Sequence, residues 1–136
     1  MSGQLPASSR HPPVIVLKEG ELEKRGGGIL QRWKRRRCVL TSEGLRYSSG
    51  GSAKELRFEA LARLECIERA GERLYFTLVG AGGRERDFRC GAASGWHAQI
   101  TLALVAFQNS RAVEELRAHK REARGAPGRR LRSWAG

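Results

Sequence analysis

The sequence lacks a long apolar run, a disulfide or metal-binding cysteine motif and an excess of acidic residues, and each absence excludes a class of protein. No stretch approaches the 18 or so apolar residues of a membrane-spanning helix. The first ten residues have no apolar signal-peptide core, and neither terminus carries a common lipidation motif. We therefore expect any residence at a membrane to come from a folded domain and not from an anchor.

Cysteine and histidine are also scarce. The three cysteines, Cys38, Cys66 and Cys90, lie inside apolar segments without a CxxC or Cys/His metal spacing. An odd number of cysteines in this setting predicts buried thiols in a reducing compartment. The three histidines are scattered along the chain, which argues against a shared metal or acid/base cluster. No metal or cofactor is expected.

Catalytic motifs are missing as well. The acidic residues alternate with apolar positions, as on the outer faces of strands, and are not paired as in a carboxylate active site. There is no GxSxG or P-loop motif, and the glycines between 80 and 83 lack the GxGxxG spacing. These glycines predict a hairpin turn. The chain is not expected to be an enzyme.

Positive charge is abundant in this chain. Its 136 residues suffice for one domain, and 26 Lys and Arg against 14 Asp and Glu give a net charge of +12. Such a surplus favours a polyanionic partner, either an acidic membrane leaflet or a nucleic acid.

The charge is concentrated between residues 24 and 40, which hold seven basic residues and no acid. Period-two alternation on both sides of a glycine triplet predicts a β-hairpin here. Residues two apart in a strand share a face, so Lys34 and Arg36 project together, and Lys24 joins them from the paired strand. Three cations are thus expected to converge beside the loop.

This arrangement is suited to phosphate groups. Glycines 26 to 28 can adopt positive φ and expose backbone N–H groups, while Lys and Arg supply charge and a bidentate fork. A head group with several phosphates, such as an inositol phosphate, would engage the three cations together; a solvated hairpin without a ligand is the alternative interpretation. Arg25 and Arg35 are expected to add peripheral attraction, and Tyr47 to lie close enough to help. Arg37 should face away from the three cations. The loop of Gly26, Gly27, Gly28, Ile29 and Leu30 is expected to contact the membrane.

The rest of the chain predicts a mainly β domain with one C-terminal helix. Seven strands are expected near residues 15–25, 32–41, 44–48, 54–58, 62–69, 73–80 and 84–90. They would form an antiparallel barrel or sandwich capped by a helix. This helix would begin around Ala93 or Ser94, with Ser94 as its expected N-cap, and would run to about Arg117 or beyond. The domain would span residues 14 to 118, between a disordered leader over 1 to 13 and a flexible basic tail over 119 to 136.

The helix carries two apolar rows. One row at helical spacing is expected to plug the barrel: Trp96, Ile100, Ala103, Leu104 and Phe107. The second row is Leu102, Val105, Asn109, Val113 and Leu116. Two interpretations of this second row remain open, a broadening of the buried face, which we favour, or a surface for a protein partner.

Several phrases of the sequence resemble the pleckstrin homology-like domain family A. Lys24, Lys34 and Arg36, followed by the apolar position Cys38, match the basic pattern of lipid-binding pleckstrin homology domains, and Trp96 matches the tryptophan of their closing helix. The more specific phrases are Leu17-Lys18-Glu19-Gly20, Leu22-Glu23-Lys24-Arg25, Lys54-Glu55-Leu56-Arg57-Phe58, Tyr75-Phe76-Thr77-Leu78-Val79, Asp87-Phe88-Arg89-Cys90 and Phe107-Gln108-Asn109. The resemblance covers residues 16 to 118.

This resemblance implies a seven-stranded pleckstrin homology barrel that binds phosphoinositides as a peripheral protein, in the cytoplasm and at the inner face of the plasma membrane. It also implies competition with the Akt kinase for lipid head groups, negative regulation of Akt signalling and a role in apoptosis. By themselves, the residues indicate only anion binding.

Two other functions are compatible with the sequence. A nucleic-acid-binding protein would explain the charge, but single-strand binders need exposed aromatic rings, and here only Trp33 and Trp134 fall outside the core patterns. A protein-interaction domain could use a strand edge or the helix row containing Leu102, Val105, Val113 and Leu116.

Overall fold

The computed structural model describes residues 13 to 27 and 29 to 124, without the side chains of residues 66 and 67. The predicted leader up to residue 12, the tail from residue 125 with Trp134, Gly28 and the Cys66 thiol lie outside these described residues.

Seven antiparallel strands precede a single long helix in the described chain. The strands are β1 (Val16–Arg25), β2 (Trp33–Thr41), β3 (Gly44–Ser49), β4 (Ser52–Arg57), β5 (Leu61–Ala70), β6 (Arg73–Gly80) and β7 (Glu85–Gly91), and the helix is α1 (Trp96–Arg124). They form one sheet in the order β4-β3-β2-β1-β7-β6-β5, so that β4 and β5 are its edges. The predicted fold class, an antiparallel sheet closed by a C-terminal helix, is confirmed.

The two halves of the sheet meet where β1 pairs with β7. Within the described residues, this ladder contains two residue pairs, Glu23 with Arg89 and Lys24 with Phe88. The neighbouring ladders are much longer, since β1 pairs with β2 from Val16 to Arg25. The short junction leaves β1 free to diverge from β7, which curls the sheet into a half-barrel.

The core lies on the concave side of this half-barrel. Phe58, Phe76 and Phe88 are almost fully buried there, with leucines from β1, β2, β3 and β6. Each such side chain contributes about 1.5–3 kcal/mol to the free energy of folding through its burial. From the helix, Trp96 and Ile100 enter the same core. The predicted first row of the helix is therefore confirmed as the plug of the barrel.

The start of the helix differs from its prediction. A 3₁₀ turn over Ala92–Ser94 and Gly95, whose φ is 81°, precede Trp96. Ser94 was predicted as the N-cap, but this residue closes the turn, and its hydroxyl accepts a 3.4 Å hydrogen bond from the Trp96 N–H. A positive φ is accessible to glycine at little cost, so Gly95 redirects the chain into the helix.

Two of the three cysteines lie in this core. Cys38 and Cys90 are buried free thiols, as predicted. Burial raises the pKa of the Cys38 thiol to about 11, because the apolar surroundings disfavour the thiolate. Cys38 therefore acts as a small apolar side chain of the core.

The second row of the helix is exposed, so the favoured prediction of a broader buried face is wrong. Leu102, Val105, Val113 and Leu116 all keep 45% or more of their surface. The physical reason is that α1 contacts the barrel along one side only, and its 29 residues continue beyond the sheet to Arg124. Helical structure thus reaches past residue 118, where the domain was predicted to end. Among the described residues, no helix is both long and apolar enough to cross a membrane.

Candidate functional site

The register of β1 and β2 places the predicted cations on the inner face of the sheet. Lys24 pairs with Lys34, and Leu22 pairs with Arg36. Because Leu22 is buried in the core, residues 22, 24, 34 and 36 all point to the concave side. The structure therefore brings Lys24, Lys34 and Arg36 to one face, at the end of the barrel next to the loop.

Two further residues continue this face across β3 and β4. Tyr47 pairs with Cys38 on one side and with Lys54 on the other. The Lys24 ammonium lies 5.6 Å from the centre of the Tyr47 ring, within range of a cation–π interaction. Tyr47 thus stands beside Lys24 as predicted, and Lys54 joins the basic face.

The opposite wall of the site comes from the start of β7. Lys24 pairs with Phe88, so Arg86, two residues earlier in the strand, lies on the same face as Lys24. Arg84 precedes β7 in the turn from β6. These two arginines extend the basic face from β1 to the other half of the sheet.

These walls enclose a cavity of about 280 Å³, called the basic cavity below. Its lining contains more cations than carboxylates and comprises Lys24, Arg25, Gly26, Gly27, Gln31, Tyr47, Lys54, Arg84, Glu85, Arg86 and Asp87. Five of these side chains are cationic and two are carboxylates. A small, charged cavity of this kind is suited to a few phosphate groups and poorly suited to a large apolar ligand.

The cationic side chains in and around this cavity repel one another. Burial lowers the pKa of Lys24, and the nearby charges of Arg86, Arg36, Lys54 and Arg84 lower it further. Both causes disfavour the ammonium form, because it is partly removed from water and faces like charges. An anion in the cavity would relieve this repulsion, so the site is electrostatically prepared for one.

Lys34 and Arg36 lie on the basic face but not in the lining of the cavity. Lys34 is exposed. Arg36 is half-buried, and its Nε atom is buried without a hydrogen-bond partner among the described residues. Arg36 is close enough to influence Lys24, but its guanidinium requires an additional partner for full hydrogen bonding.

The other predicted basic residues of the hairpin have carboxylate partners. Arg25 lies 3.6 Å from Asp87 and donates a hydrogen bond to the Gln31 side chain, although it also lines the cavity. On the outer face, Arg35 lies 3.7 Å from Glu21 and Arg37 lies 3.5 Å from Glu19. Arg35 thus shares the outer face with Arg37, which was predicted to point away from the site.

The loop of the hairpin differs in detail from the prediction. The Gly26 N–H donates to the Arg32 carbonyl at 2.8 Å, so this amide is not free for a phosphate. Positive φ occurs at Gln31 (47°), and not at Gly26 or Gly27. At the tip, Ile29 is fully exposed and Leu30 is 71% exposed. The loop therefore offers an apolar tip, whereas the cavity offers side-chain cations.

Sequence reasoning missed Lys54, Arg84 and Arg86. A signal for the two arginines was present, because Arg84 and Arg86 alternate with the core residue Phe88 at a period of two. Because both arginines are about 60 residues from Lys24 in the sequence, this alternation does not indicate that they lie near Lys24 in the fold. No group of three or more His, Cys, Asp or Glu side chains that could hold a metal occurs in the described parts of the chain.

Comparison with known proteins gives consistent matches. The chain is 60% identical over 127 residues to pleckstrin homology-like domain family A member 2 of Xenopus tropicalis, covering 90% of this chain and 93% of that protein. Human member 2 is 47% identical over 118 residues, with coverage of 85% and 76%. Member 3 of Danio rerio is 49% identical over 102 residues, with coverage of 73% and 80%. The short sequence matches described above resemble member 3 most, whereas the sequence identity is higher with the frog member 2 (60%) than with the fish member 3 (49%).

Among solved structures, the solution structure of the N-terminal PH domain of human ARAP2 is similar, with a TM-score of 0.54 and 15% identity. The match covers 78% of this chain and 88% of that domain. This likeness concerns the fold alone. No protein-family model matches the chain.

Proposed function

Since the chain belongs to the pleckstrin homology-like domain family A, we propose that it binds the phosphorylated inositol head groups of phosphoinositides through the basic cavity. Its family and fold are those of non-enzymatic binding modules for lipids or proteins. The observation that carries the proposal is the convergence of Lys24, Lys54, Arg84 and Arg86 on one small cavity beside Tyr47.

The ligand must be compact and carry several negative charges. A single carboxylate would neutralise one or two of these cations, whereas an inositol ring with phosphates at different positions reaches several walls at once. Arginine can bind a phosphate bidentately, and lysine contributes a compact charge. We assign the central contact to Lys24, because it lies between the β3–β4 wall and the β7 wall.

Lys34 and Arg36 supply the outer part of the site. Both lie on the same face, and the buried Arg36 Nε lacks a partner among the described residues. A phosphate at the edge of the cavity would bind the terminal nitrogens of the Arg36 guanidinium. Arg25 and Arg35 add long-range attraction to an anionic leaflet, where each nearby cation contributes about 1 kcal/mol.

The loop tip would touch the bilayer while the cavity holds the head group. Ile29 and Leu30 are the exposed apolar residues of the loop that adjoins the cavity. Their transfer into the acyl boundary would add a hydrophobic contribution to binding. The protein would thus reside in the cytoplasm and at the inner face of the plasma membrane as a peripheral protein.

We further propose, from the resemblance to the family, that this binding competes with the pleckstrin homology domain of the Akt kinase. An isolated module that occupies phosphoinositides denies them to signalling proteins. The consequence would be negative regulation of Akt signalling, with an effect on apoptosis.

Vesicle cosedimentation tests the lipid proposal. Phosphoinositide-containing vesicles are compared with charge-matched phosphatidylserine vesicles at about 150 mM salt, where the Debye length is about 8 Å. The test variant is Lys24→Ala/Lys54→Ala, and the matched control is Arg37→Ala/Arg46→Ala, which removes the same charge from the outer face, where both arginines form exposed ion pairs. A third variant, Lys24→Ala/Arg36→Ala, tests the predicted trio.

We expect phosphoinositide-selective binding that the cavity variants lose and the control retains. Equal binding to both vesicle types, or equal losses in the cavity and control variants, would show a non-specific basic surface. In that case, a nucleic-acid partner would become the leading alternative. The packing of Trp33 argues against that alternative, because its ring lies edge-on to Tyr75 at 5.7 Å and beneath Arg89 at 4.6 Å.

A further inference from the structure

The exposed face of α1 carries an apolar stripe that no described part of the chain covers. This stripe, called the helix stripe below, consists of Leu102, Val105, Asn109, Val113 and Leu116. Leu102 and Leu116 are 66% and 57% exposed, and Val105 and Val113 are 46% and 45% exposed. At 3.6 residues per turn, all five positions lie on one side of the helix.

The helix stripe lies opposite the barrel. The buried residues Trp96, Ile100, Ala103 and Leu104 lie on the far side of the same helix. A partner seated on the stripe would therefore leave the barrel and the basic cavity unobstructed. The stripe is also distinct from every residue of the proposed lipid site.

The first half of this face carries no charge, in contrast to the rest of the molecule. No Asp, Glu, Lys or Arg occurs between residues 96 and 110, although 29% of the chain is charged. The exposed residues that flank the stripe there are uncharged, namely Ala98, Gln99, Ala106 and Ser110. A nucleic acid or an anionic leaflet would bind the cationic faces instead. Two copies, each with a net charge of +12, repel each other least where the facing surfaces carry no charge.

The order of residues along the helix stripe is palindromic about Asn109. Valines stand four residues before and after it, and leucines stand seven residues before and after it. An antiparallel copy would therefore place Leu102 against Leu116, Val105 against Val113, and Asn109 against Asn109. A two-fold interface requires this kind of self-complementary patch. A polar residue among apolar contacts also fixes the register of paired helices.

We propose that the chain forms an antiparallel dimer through the helix stripe, with the two Asn109 side chains meeting on the two-fold axis. The barrels would lie on the outer sides of the helix pair. The exposed parts of the four apolar side chains amount to roughly 350 Å² per copy, which is within the range of functional patches on monomers. The area buried by two copies would remain below about 1,200 Å², which is the size of a weak or transient interface.

Sedimentation velocity of the full chain tests association. The monomer has a mass of 15.1 kDa. We expect the average mass to rise towards twice that value between 10 and 500 µM protein. Val105→Glu/Val113→Glu would place like charges against each other in the dimer and should keep the protein monomeric at 500 µM. Gln99→Glu/Gln108→Glu adds the same charge beside the stripe. In the antiparallel register these two positions lie opposite His119 and Ser110 and not opposite each other, so this variant is the control that still associates. Circular dichroism verifies that each variant retains its fold.

Disulfide trapping tests the register. We expect Asn109→Cys to form a covalent dimer on mild oxidation, and a mixture of Leu102→Cys and Leu116→Cys to form the mixed dimer. Neither of the last two variants should cross-link alone, because their like positions lie about 21 Å apart in the antiparallel pair, at 1.5 Å per residue. The wild-type chain controls for its native cysteines.

Three results would overturn the proposal. A constant monomer mass up to 500 µM would exclude the dimer. Cross-linking of Leu102→Cys to itself would indicate a parallel arrangement. If the Val105→Glu/Val113→Glu variant had the wild-type mass but lost binding to phosphatidylcholine vesicles, the stripe would be a membrane contact.

Discussion

Glu23 and Arg89 form a two-point ion pair across the junction between the two halves of the sheet. The Arg89 Nε donates to Glu23 Oε1 at 2.7 Å, and Nη2 donates to Oε2 at 3.3 Å. The next residue of β1 is Lys24, the centre of the basic cavity. The ion pair on the outer face and the cation on the inner face therefore depend on the same two-residue ladder, which links the stability of the junction to the geometry of the site.

This ion pair should make the junction sensitive to acid. The hydrogen bond from Arg89 lowers the pKa of Glu23 below its ordinary value of 4.5, which outweighs the opposing effect of burial. The resulting stabilisation is present above pH 4.5 and is lost as the pH falls through the lowered pKa. We expect Glu23→Gln to lower the free energy of unfolding by about 1 kcal/mol at pH 7, and by little at pH 2. Urea denaturation at the two pH values measures this difference. Glu21→Gln, at an exposed ion pair, is the control; an equal effect of both variants would contradict the prediction.

Lys24 should favour ligand binding at the expense of stability. Its lowered pKa means that the folded protein disfavours the ammonium form, and this cost is fully present at neutral pH. The cost is relieved only as the pH rises through the lowered pKa towards 10.5. We expect Lys24→Met to raise stability by less than about 1 kcal/mol, since water screens the partly exposed charge. Binding of a soluble inositol polyphosphate should fall at least tenfold. Calorimetric unfolding and titration measure the two effects.

Lys18 offers a comparison for this variant. Its ammonium lies 5.2 Å from the centre of the Trp96 ring and outside the basic cavity. Lys18→Met should leave inositol polyphosphate binding unchanged and should not raise stability. A loss of stability in Lys24→Met would show that the cation–π contact with Tyr47 outweighs the repulsion among the cations.

The loop tip should contribute to vesicle binding and not to head-group recognition. Ile29→Ser/Leu30→Ser removes the two exposed apolar side chains, each of which can contribute about 1.5–3 kcal/mol when fully transferred from water. We expect at least a tenfold weaker affinity for phosphoinositide vesicles, with unchanged affinity for the soluble inositol polyphosphate. Cosedimentation and titration calorimetry separate the two. Equal losses in both measurements would place these residues in the head-group site.

Gly44 should tolerate no side chain. This residue starts β3, and a Cβ built there would overlap the Leu56 carbonyl oxygen of β4. Because that oxygen belongs to the backbone, relief requires a shift of the strand, at a cost of about 1–3 kcal/mol. Gly44→Ala should lower the urea midpoint accordingly. Gly82→Ala is the matched control, since nothing lies within 4 Å of its added Cβ. A wild-type midpoint for Gly44→Ala would show that the strands adjust freely.

Local patterns account for the parts of the structure that could be predicted from the sequence. The seven strands follow from period-two alternation between glycine-rich turns, and Lys24 and Lys34 are paired because the hairpin that joins them is short. The cavity required more information, because Arg86 reaches Lys24 only after more than 60 intervening residues have folded. The pairing of β1 with β7 decides that contact, and no local pattern specifies it.

The sequence pattern of the helix also leaves open which of its faces is buried. Trp96 and Leu102 both lie in apolar rows of one amphipathic pattern, and both rows are plausible core faces by periodicity alone. Only the orientation of α1 on the barrel decides which row is covered. The barrel has room for one row, so Trp96 is buried and Leu102 is exposed.

Within the described residues, the open order of the sheet leaves β4 and β5 with free edges, and this bears on how the protein avoids aggregation. Free strand edges can pair with those of other molecules, and proteins commonly discourage this with charged side chains. Along β5, the exposed residues Arg63, Glu65, Glu68 and Arg69 are charged, and Arg63 donates to Glu65 at 2.7 Å. A neighbouring chain that paired with this edge would have to dehydrate those charges. The edge strand β5 is thereby protected against edge-to-edge assembly, even at high protein concentration.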